Sequence, residues 1–265
     1  MAKGISSIKS AKRIVVKVGT STLTHEDGKL KLREIDRLAM VLCDLANTGK
    51  EIVLVSSGAQ GVAVGKLGLG KKPDDTVARQ AIAAVGQCEL MMIYDRMFDG
   101  YNRTIAQILL TAEDIENEKR ATNTKNTINR LLEMGIIPII NENDTVAFDE
   151  IEIGDNDRLS AAAAKLVEAD LLILLSDIDG LYDSDPHKNP DAKLLDIVYD
   201  ISSVRDMADE SSTDMGTGGM VTKLDAAEIA TENGINMIIT NGERIDSIYD
   251  ILEGKIEGTL FIAKQ

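Results

Sequence analysis

Two lysines stand where a lysine is costly. Lys17 lies inside the apolar run Arg13–Val18 (RIVVKV), at its carboxyl end just before Gly19, Thr20 and Ser21. An ammonium inside a strand loses its hydration unless it meets an anion. A solvent-facing edge strand would also accommodate it, but its place at the carboxyl end of the run favours an anion partner. Lys223 opens a helical pattern after MGTGGMVT, where a cation opposes the helix dipole. A nearby anion would account for it, as would a solvated surface position. The loop before it (Gly216, Thr217, Gly218, Gly219) has the small residues that let backbone amides approach a triphosphate. Between the lysines lie two acidic and amide-rich segments, INEND with Glu142 and Asp144, and GDND (Gly154, Asp155, Asn156, Asp157). Helix capping needs only one such residue. Their density suits orienting two lysines, binding the ammonium of a substrate, or holding magnesium.

The elements that must position these groups alternate between strand and helix. Arg13–Val18, Glu51–Val55, Thr104–Leu110, Ile136–Ile140 (broken by Pro138), Leu171–Leu175 and Asn236–Thr240 read as strands. Lys31–Asn47, Thr76–Phe98, Thr122–Met134, Ser160–Glu168 and Lys223–Asn233 read as helices. This pattern predicts an α/β fold, a mainly parallel central sheet with helices on both faces in three layers, over residues 1–265 as a single domain. Ligands of such sheets sit beyond the carboxyl ends of the strands. Five small, polar segments lie there: 17–21, 56–59 (SSGA), 141–144, 176–180 (SDIDG) and 240–242.

Composition narrows the function classes. The chain is 44% hydrophobic with 3% aromatics and no Trp, which fits an aliphatic core. A net charge of −15 argues against a nucleic-acid surface or an anionic membrane. The N-terminus lacks the apolar stretch of a signal peptide, and no run approaches the ~20 residues that span a bilayer, so a cytoplasmic location is expected. Cys43 and Cys88, both in helix-like apolar segments, read as reduced core thiols. Gly65–Lys72 (GKLGLGKK) nearly matches a P-loop, but Lys72 replaces the Ser or Thr that would bind magnesium.

Assembled in order, VVKVGTS, VSSGA, AAVGQ, INENDTV, IGDND, SDIDGLY through DPHKNPDA, GTGGMVTK and EGTLF closely resemble the glutamate 5-kinases of the amino-acid-kinase superfamily. The resemblance runs from about Lys12 to Phe261 and implies the amino-acid-kinase fold. It implies phosphorylation of the γ-carboxylate of L-glutamate from ATP with Mg2+. Carried over by motif, Lys17 and Lys223 stabilise the transferring phosphoryl group and Asp157 organises them. Ser57, Gly58, Asp144 and Asn156 bind glutamate. Gly19, Ser176, Asp177, Thr217, Gly218, Gly219, Met220, Val221 and Thr222 join the two lysines around the nucleotide. No metal ligand is assigned to the protein. The resemblance further implies a homo-oligomer, dimer or tetramer, and feedback inhibition by proline. No PUA domain, which many such kinases carry at the C-terminus, is expected within these residues.

A carboxylate acceptor with a pKa of ~4.3 is already ionised at neutral pH, so no general base is required. The difficulty is bringing one anion to another, which makes positioning and charge neutralisation the main tasks. Lys17 and Lys223 are expected to flank the phosphoryl group, Asp144 to pair with the α-ammonium, and amides near Gly58 to receive the α-carboxylate. Asp209–Gly219 is the expected mobile element. Alternatives are a related kinase with another carboxylate, carbamate or phosphate acceptor, and a non-catalytic amino-acid sensor. A dinucleotide oxidoreductase is disfavoured because GTSTLT stands where GxGxxG would follow the first strand.

Overall fold

A computed structural model describes residues 2–147, 156–184, 189, 191–209 and 219–264. The chain begins with helix α1 (Ala2–Ser10), strand β1 (Arg13–Val18), the short helix α2 (Thr20–Leu23), α3 (Leu32–Asn47) and β2 (Glu51–Ser56). Helices α4 (Ala59–Leu67) and α5 (Thr76–Asp99) precede β3 (Ile105–Leu110), α6 (Ala112–Glu116), α7 (Glu118–Glu133) and β4 (Ile137–Glu142). Next come α8 (Asn156–Leu166), β5 (Leu171–Ser176), β6 (Ile197–Val198) and α9 (Ser202–Asp209). The last elements are α10 (Met220–Glu232), β7 (Asn236–Asn241), α11 (Ser247–Leu252) and β8 (Thr259–Phe261).

The chain forms two compact units, one of residues Met1–Lys17 and Asp155–Gln265, the other of Val18–Gly154. In the second, strands run β3-β4-β2, all parallel, with Leu54 opposite Ile139 and Ile105 opposite Ile137. In the first, the order is β1-β5-β7-β8-β6. Strands β5 and β7 pair in parallel over six residues, Leu171–Ser176 against Asn236–Asn241, and β8 is antiparallel to β7. This is the mostly parallel α/β architecture the sequence predicts, with helices on both sides.

Burial explains why these strands read as continuous apolar runs. Strand β5 is buried at every position, and β2, β4 and β7 at all but one. Both faces are therefore covered, as in parallel sheets packed by helices. Strand β3 has only Leu110 fully buried.

Several expectations need correction. Pro138 does not break its strand, because β4 runs through it to Glu142. The Ile137 N–H bonds to Thr104 O on the β3 side, so the ring nitrogen of Pro138 faces β2. The β2 ladder takes up its register at Ile139, past the proline. Helix α8 starts at Asn156 rather than near Ser160, so Asp157 lies in a first helical turn. Helix α10 starts at Met220, which puts Lys223 one turn inside it. There the side chain leans back toward the helix N-terminus. Cys43 is buried, and burial pushes its thiol up to about 11, but Cys88 is exposed and not a core residue. Strands β6 and β8, of two and three residues, carry too short a pattern to read from sequence.

Candidate active site

In the first unit, the ends of three elements bring Lys17, Asp157 and Lys223 together. Lys17 is 6% exposed near the end of β1, Lys223 is 5% exposed in α10, and Asp157 is fully buried at the start of α8. Asp157 Oδ1 pairs with the Lys17 ammonium, and Oδ2 lies 3.2 Å from Lys223 Nζ. Thr222 Oγ1 donates to Gly219 O at 2.9 Å and lies 3.4 Å from Oδ2, which sets the start of α10 beside the same carboxylate. Burial works to raise the Asp157 pKa, but the two lysine ammoniums together outweigh it and hold the carboxyl below its usual range. Lys17 is therefore buried against an anion and not solvent-facing. Both Asp157 oxygens are engaged by ammoniums, which fits a lysine anchor and leaves it poorly placed as a metal ligand. Two ammoniums per carboxylate leave one positive charge uncompensated within the triad, the electrostatics a phosphoryl group calls for.

The spacing of that triad depends on how α8 sits against α10. Arg158, next to Asp157, reaches Asp225 Oδ2 at 2.5 Å with Nη2 and 3.1 Å with Nε. Arg205 of α9 takes the other Asp225 oxygen at 2.8 Å and Glu228 at 2.6 Å. Burial opposes ionisation of Asp225, yet the two guanidiniums lower its pKa overall. This bracket clamps α8, α9 and α10 one helical position away from Asp157 and two from Lys223. Sequence reading missed it, because Arg158 and Asp225 lie 67 residues apart and nothing local pairs them.

The strand-end loops of β5 and β7 are also joined in this unit. Ser176 Oγ donates to Asp177 Oδ1 at 2.9 Å, and Ser176 O accepts from Gly242 N at 2.7 Å. Asp179 accepts from Asn241 Nδ2 at 2.9 Å and Arg244 Nη2 at 3.2 Å. Gly219 caps α10, with Met220 and Val221 in its first turn. Thr217 and Gly218, assigned by resemblance to the nucleotide, lie outside the described residues, as do Gly154, Asp155 and most of Asp209–Gly219.

The second unit holds Gly19, Ser57, Gly58 and Asp144, whereas Asn156 begins α8 in the first. Gly19 precedes α2 as its cap residue. Ser57 N donates to Val18 O at 3.1 Å, which fixes the SSGA turn to the end of the first strand. Gly58 has φ +97°, a left-handed conformation that admits glycine without strain, and caps α4. The AAVGQ segment supports this turn from α5. A Cβ on Gly86 would lie 1.7 Å from Ala59 O, so only glycine lets α5 approach that closely. A glycine inside a 24-residue helix is the signal that sequence offered for this approach. One residue on, Gln87 Oε1 accepts from Asn141 Nδ2 at 2.7 Å, while Asn141 Oδ1 accepts from Glu142 N at 2.9 Å.

Asp144 lies half-buried in the turn after β4. Burial raises its pKa, opposed by a hydrogen bond from Gln60 Nε2 at 3.1 Å and by the charge of Lys72. Beside these residues, Thr20, Thr24, Lys31, Gly61 and Lys72 help to line a cavity of about 530 Å³. Among the described residues, no three His, Cys, Asp or Glu side chains gather as a metal site. Nor is any helix among them long and apolar enough to cross a membrane.

A buried carboxylate shared by a strand-end lysine and a helix lysine suits phosphoryl transfer, and sequence comparison gives the class. Residues 12–241 match the amino acid kinase family, and the chain belongs to it. It is 54% identical over 264 residues to the glutamate 5-kinase of Clostridium perfringens (strain 13 / Type A), covering 98% of each chain. The glutamate 5-kinase of Clostridium acetobutylicum is 50% identical over 258 residues, 97% of each. Among solved structures, carbamate kinase from Giardia lamblia bound to AMP-PNP superposes with a TM-score of 0.68 at 17% identity. It covers 97% of this chain and 100% of that one, a likeness of fold.

Proposed function

We propose that this chain uses ATP to phosphorylate the γ-carboxylate of L-glutamate, giving L-glutamyl 5-phosphate at the start of proline biosynthesis. The observation that carries the reading is the buried Lys17–Asp157–Lys223 group in a chain half-identical to glutamate 5-kinases. The acceptor carboxylate is ionised at neutral pH and needs no base. Lys17 and Lys223 flank the transferring phosphoryl group and offset the charge that builds as two anions meet. Asp157, kept ionised by the same lysines, holds both ammoniums so that little reorganisation accompanies transfer. Ser176, Asp177 and the Gly219–Lys223 segment face the nucleotide. Magnesium supplies further charge neutralisation as the nucleotide's counter-ion, with phosphate oxygens and water as its usual ligands.

On the acceptor side, Asp144 takes the α-ammonium and the amides at Ser57 and Gly58 take the α-carboxylate. The raised Asp144 pKa supports this role: a half-buried carboxylate short of positive charge gains most from an incoming cation. The two compact units are read as parts of one amino-acid-kinase domain. A cytoplasmic homo-oligomer inhibited by proline follows from the family resemblance.

ADP release with MgATP, measured over L-glutamate, N-acetyl-L-glutamate, L-aspartate, carbamate and UMP with hydroxylamine present, tests the reading. Glutamate-dependent ADP with matching hydroxamate is expected. Turnover of another acceptor in preference to glutamate would refute it.

A further inference from the structure

Gln60 occupies the first turn of α4, two residues after Gly58, and its amide is only half used. Nε2 donates to Asp144 Oδ1 at 3.1 Å. An ionised carboxylate can only accept, so the NH2 end of the amide must be the end that faces Asp144. Oε1 is then turned away, and it is buried with no hydrogen-bond partner. A buried carbonyl oxygen in that state forfeits its hydration without return, and native proteins keep few such groups. Asp144 beside it is under-compensated too, since burial raises its pKa despite Gln60 and the charge of the exposed Lys72. Asp144 thus has a neutral amide as its hydrogen-bond donor, and the other end of that amide, Gln60 Oε1, has no donor of its own. Gly61, the next residue of α4, and Lys72, whose charge acts on Asp144, line the cavity of about 530 Å³.

We infer that Gln60 is a substrate-binding residue whose Oε1 accepts a second N–H of the primary ammonium paired with Asp144. This rests on the reading of Asp144 as the ammonium's partner. A primary ammonium carries enough N–H donors for both acceptors. An N-acylated amine has one N–H and no charge, so it leaves an acceptor bare, and an acid with no amino group leaves both bare. Selection by unpaired buried groups is stronger than selection by shape. Gln60 thereby makes the site selective for a free amino acid.

The test compares wild type with Gln60→Met, which keeps length but removes donor and acceptor, and Gln60→Glu, which keeps an acceptor. KM and kcat are measured by hydroxamate formation for L-glutamate and for glutarate, at pH 6.5 and 8.5, on protein whose fold is checked by circular dichroism. For Gln60→Met the glutamate KM is expected to rise roughly ten- to a hundredfold, the range for a hydrogen bond to a charged group, with kcat nearly unchanged. The ratio of kcat/KM for glutamate over glutarate falls by the same factor, and the change persists at pH 8.5. Gln60→Glu is expected to restore the glutamate KM at pH 8.5. An unchanged KM in Gln60→Met overturns the inference, as does an equal rise for both acids. A rise confined to pH 6.5 also overturns it, because Gln60 would then act only through the ionisation of Asp144. These outcomes concern Gln60 alone if wild type turns over glutamate. A wild type that ignores glutamate and phosphorylates an acid without an amino group overturns both readings.

Discussion

The two units treat their buried carboxylates in opposite ways. Asp157 has an ammonium on each oxygen, is shut off from solvent and titrates below the usual range. Asp144 has an amide and the charge of Lys72, is half-buried and titrates above it. One group is complete before any ligand arrives, as charge stabilisation of a transition state requires. The other is left short of positive charge, as recognition of a substrate's ammonium group requires. Function in this fold is legible from which charges the chain satisfies for itself and which it leaves to a ligand.

The comparison is broken most forcefully at the lysines. Lys17→Met or Lys223→Met is expected to lower kcat by about 10³-fold or more, the scale of a lost phosphoryl-stabilising cation, with little change in glutamate KM. Steady-state hydroxamate formation on the folded fraction measures this. Next is Asp157→Asn, which leaves two buried ammoniums without their shared counter-charge. Urea unfolding at pH 7 should show a loss of about 3–5 kcal/mol, the cost of breaking a buried ion pair from one side. Because the folded Asp157 pKa is depressed, its contribution is present above the unfolded carboxylate pKa and is lost as pH falls through the folded one. The gap between wild type and variant should therefore close in acid.

Asp144→Asn sharpens the contrast. Glutamate KM should rise roughly ten- to a hundredfold with kcat nearly held. Wild-type KM should climb as pH falls through the raised Asp144 pKa, a dependence absent in the variant. The stability effect has the opposite sign to that of Asp157. A raised folded pKa means the ionised group opposes folding above that pKa, so Asp144→Asn should not lower the melting temperature of the free protein at pH 7. The smallest effect is at the scaffold. Gly86→Ala forces a methyl onto Ala59 O and should cost about 1–3 kcal/mol by overpacking, read by thermal unfolding. Glutamate KM should rise with it, since Ala59 follows directly on the Ser57–Gly58 turn.

Much of this was readable in the sequence because the informative residues violate local expectation. A lysine ending an apolar strand, a lysine after a glycine-rich loop and a surplus of carboxylates at a helix start each pointed to a charge partner. The triad they form is the one the structure contains. Long buried strands were legible by their unbroken apolar runs, while the three residues of β8 and two of β6 carry no period to detect. The helix starts at Asn156 and Met220 were misplaced by three or four residues because acidic and small residues read as turns until their tertiary partners appear. Gln60 gave no sequence signal at all. A glutamine on a helix reads as a solvated face, and only the hydrogen bond to Asp144, 84 residues away, exposes its unused oxygen.

The division of labour between the two carboxylate neighbourhoods is tested most directly by one paired measurement. Glutamate-dependent hydroxamate formation is followed for wild type, Lys17→Met and Asp144→Asn under identical conditions, with kcat and KM resolved separately. The expected result is a collapse of kcat at held KM for Lys17→Met and a rise in KM at held kcat for Asp144→Asn. A Lys17→Met variant that retains wild-type kcat would contradict the account.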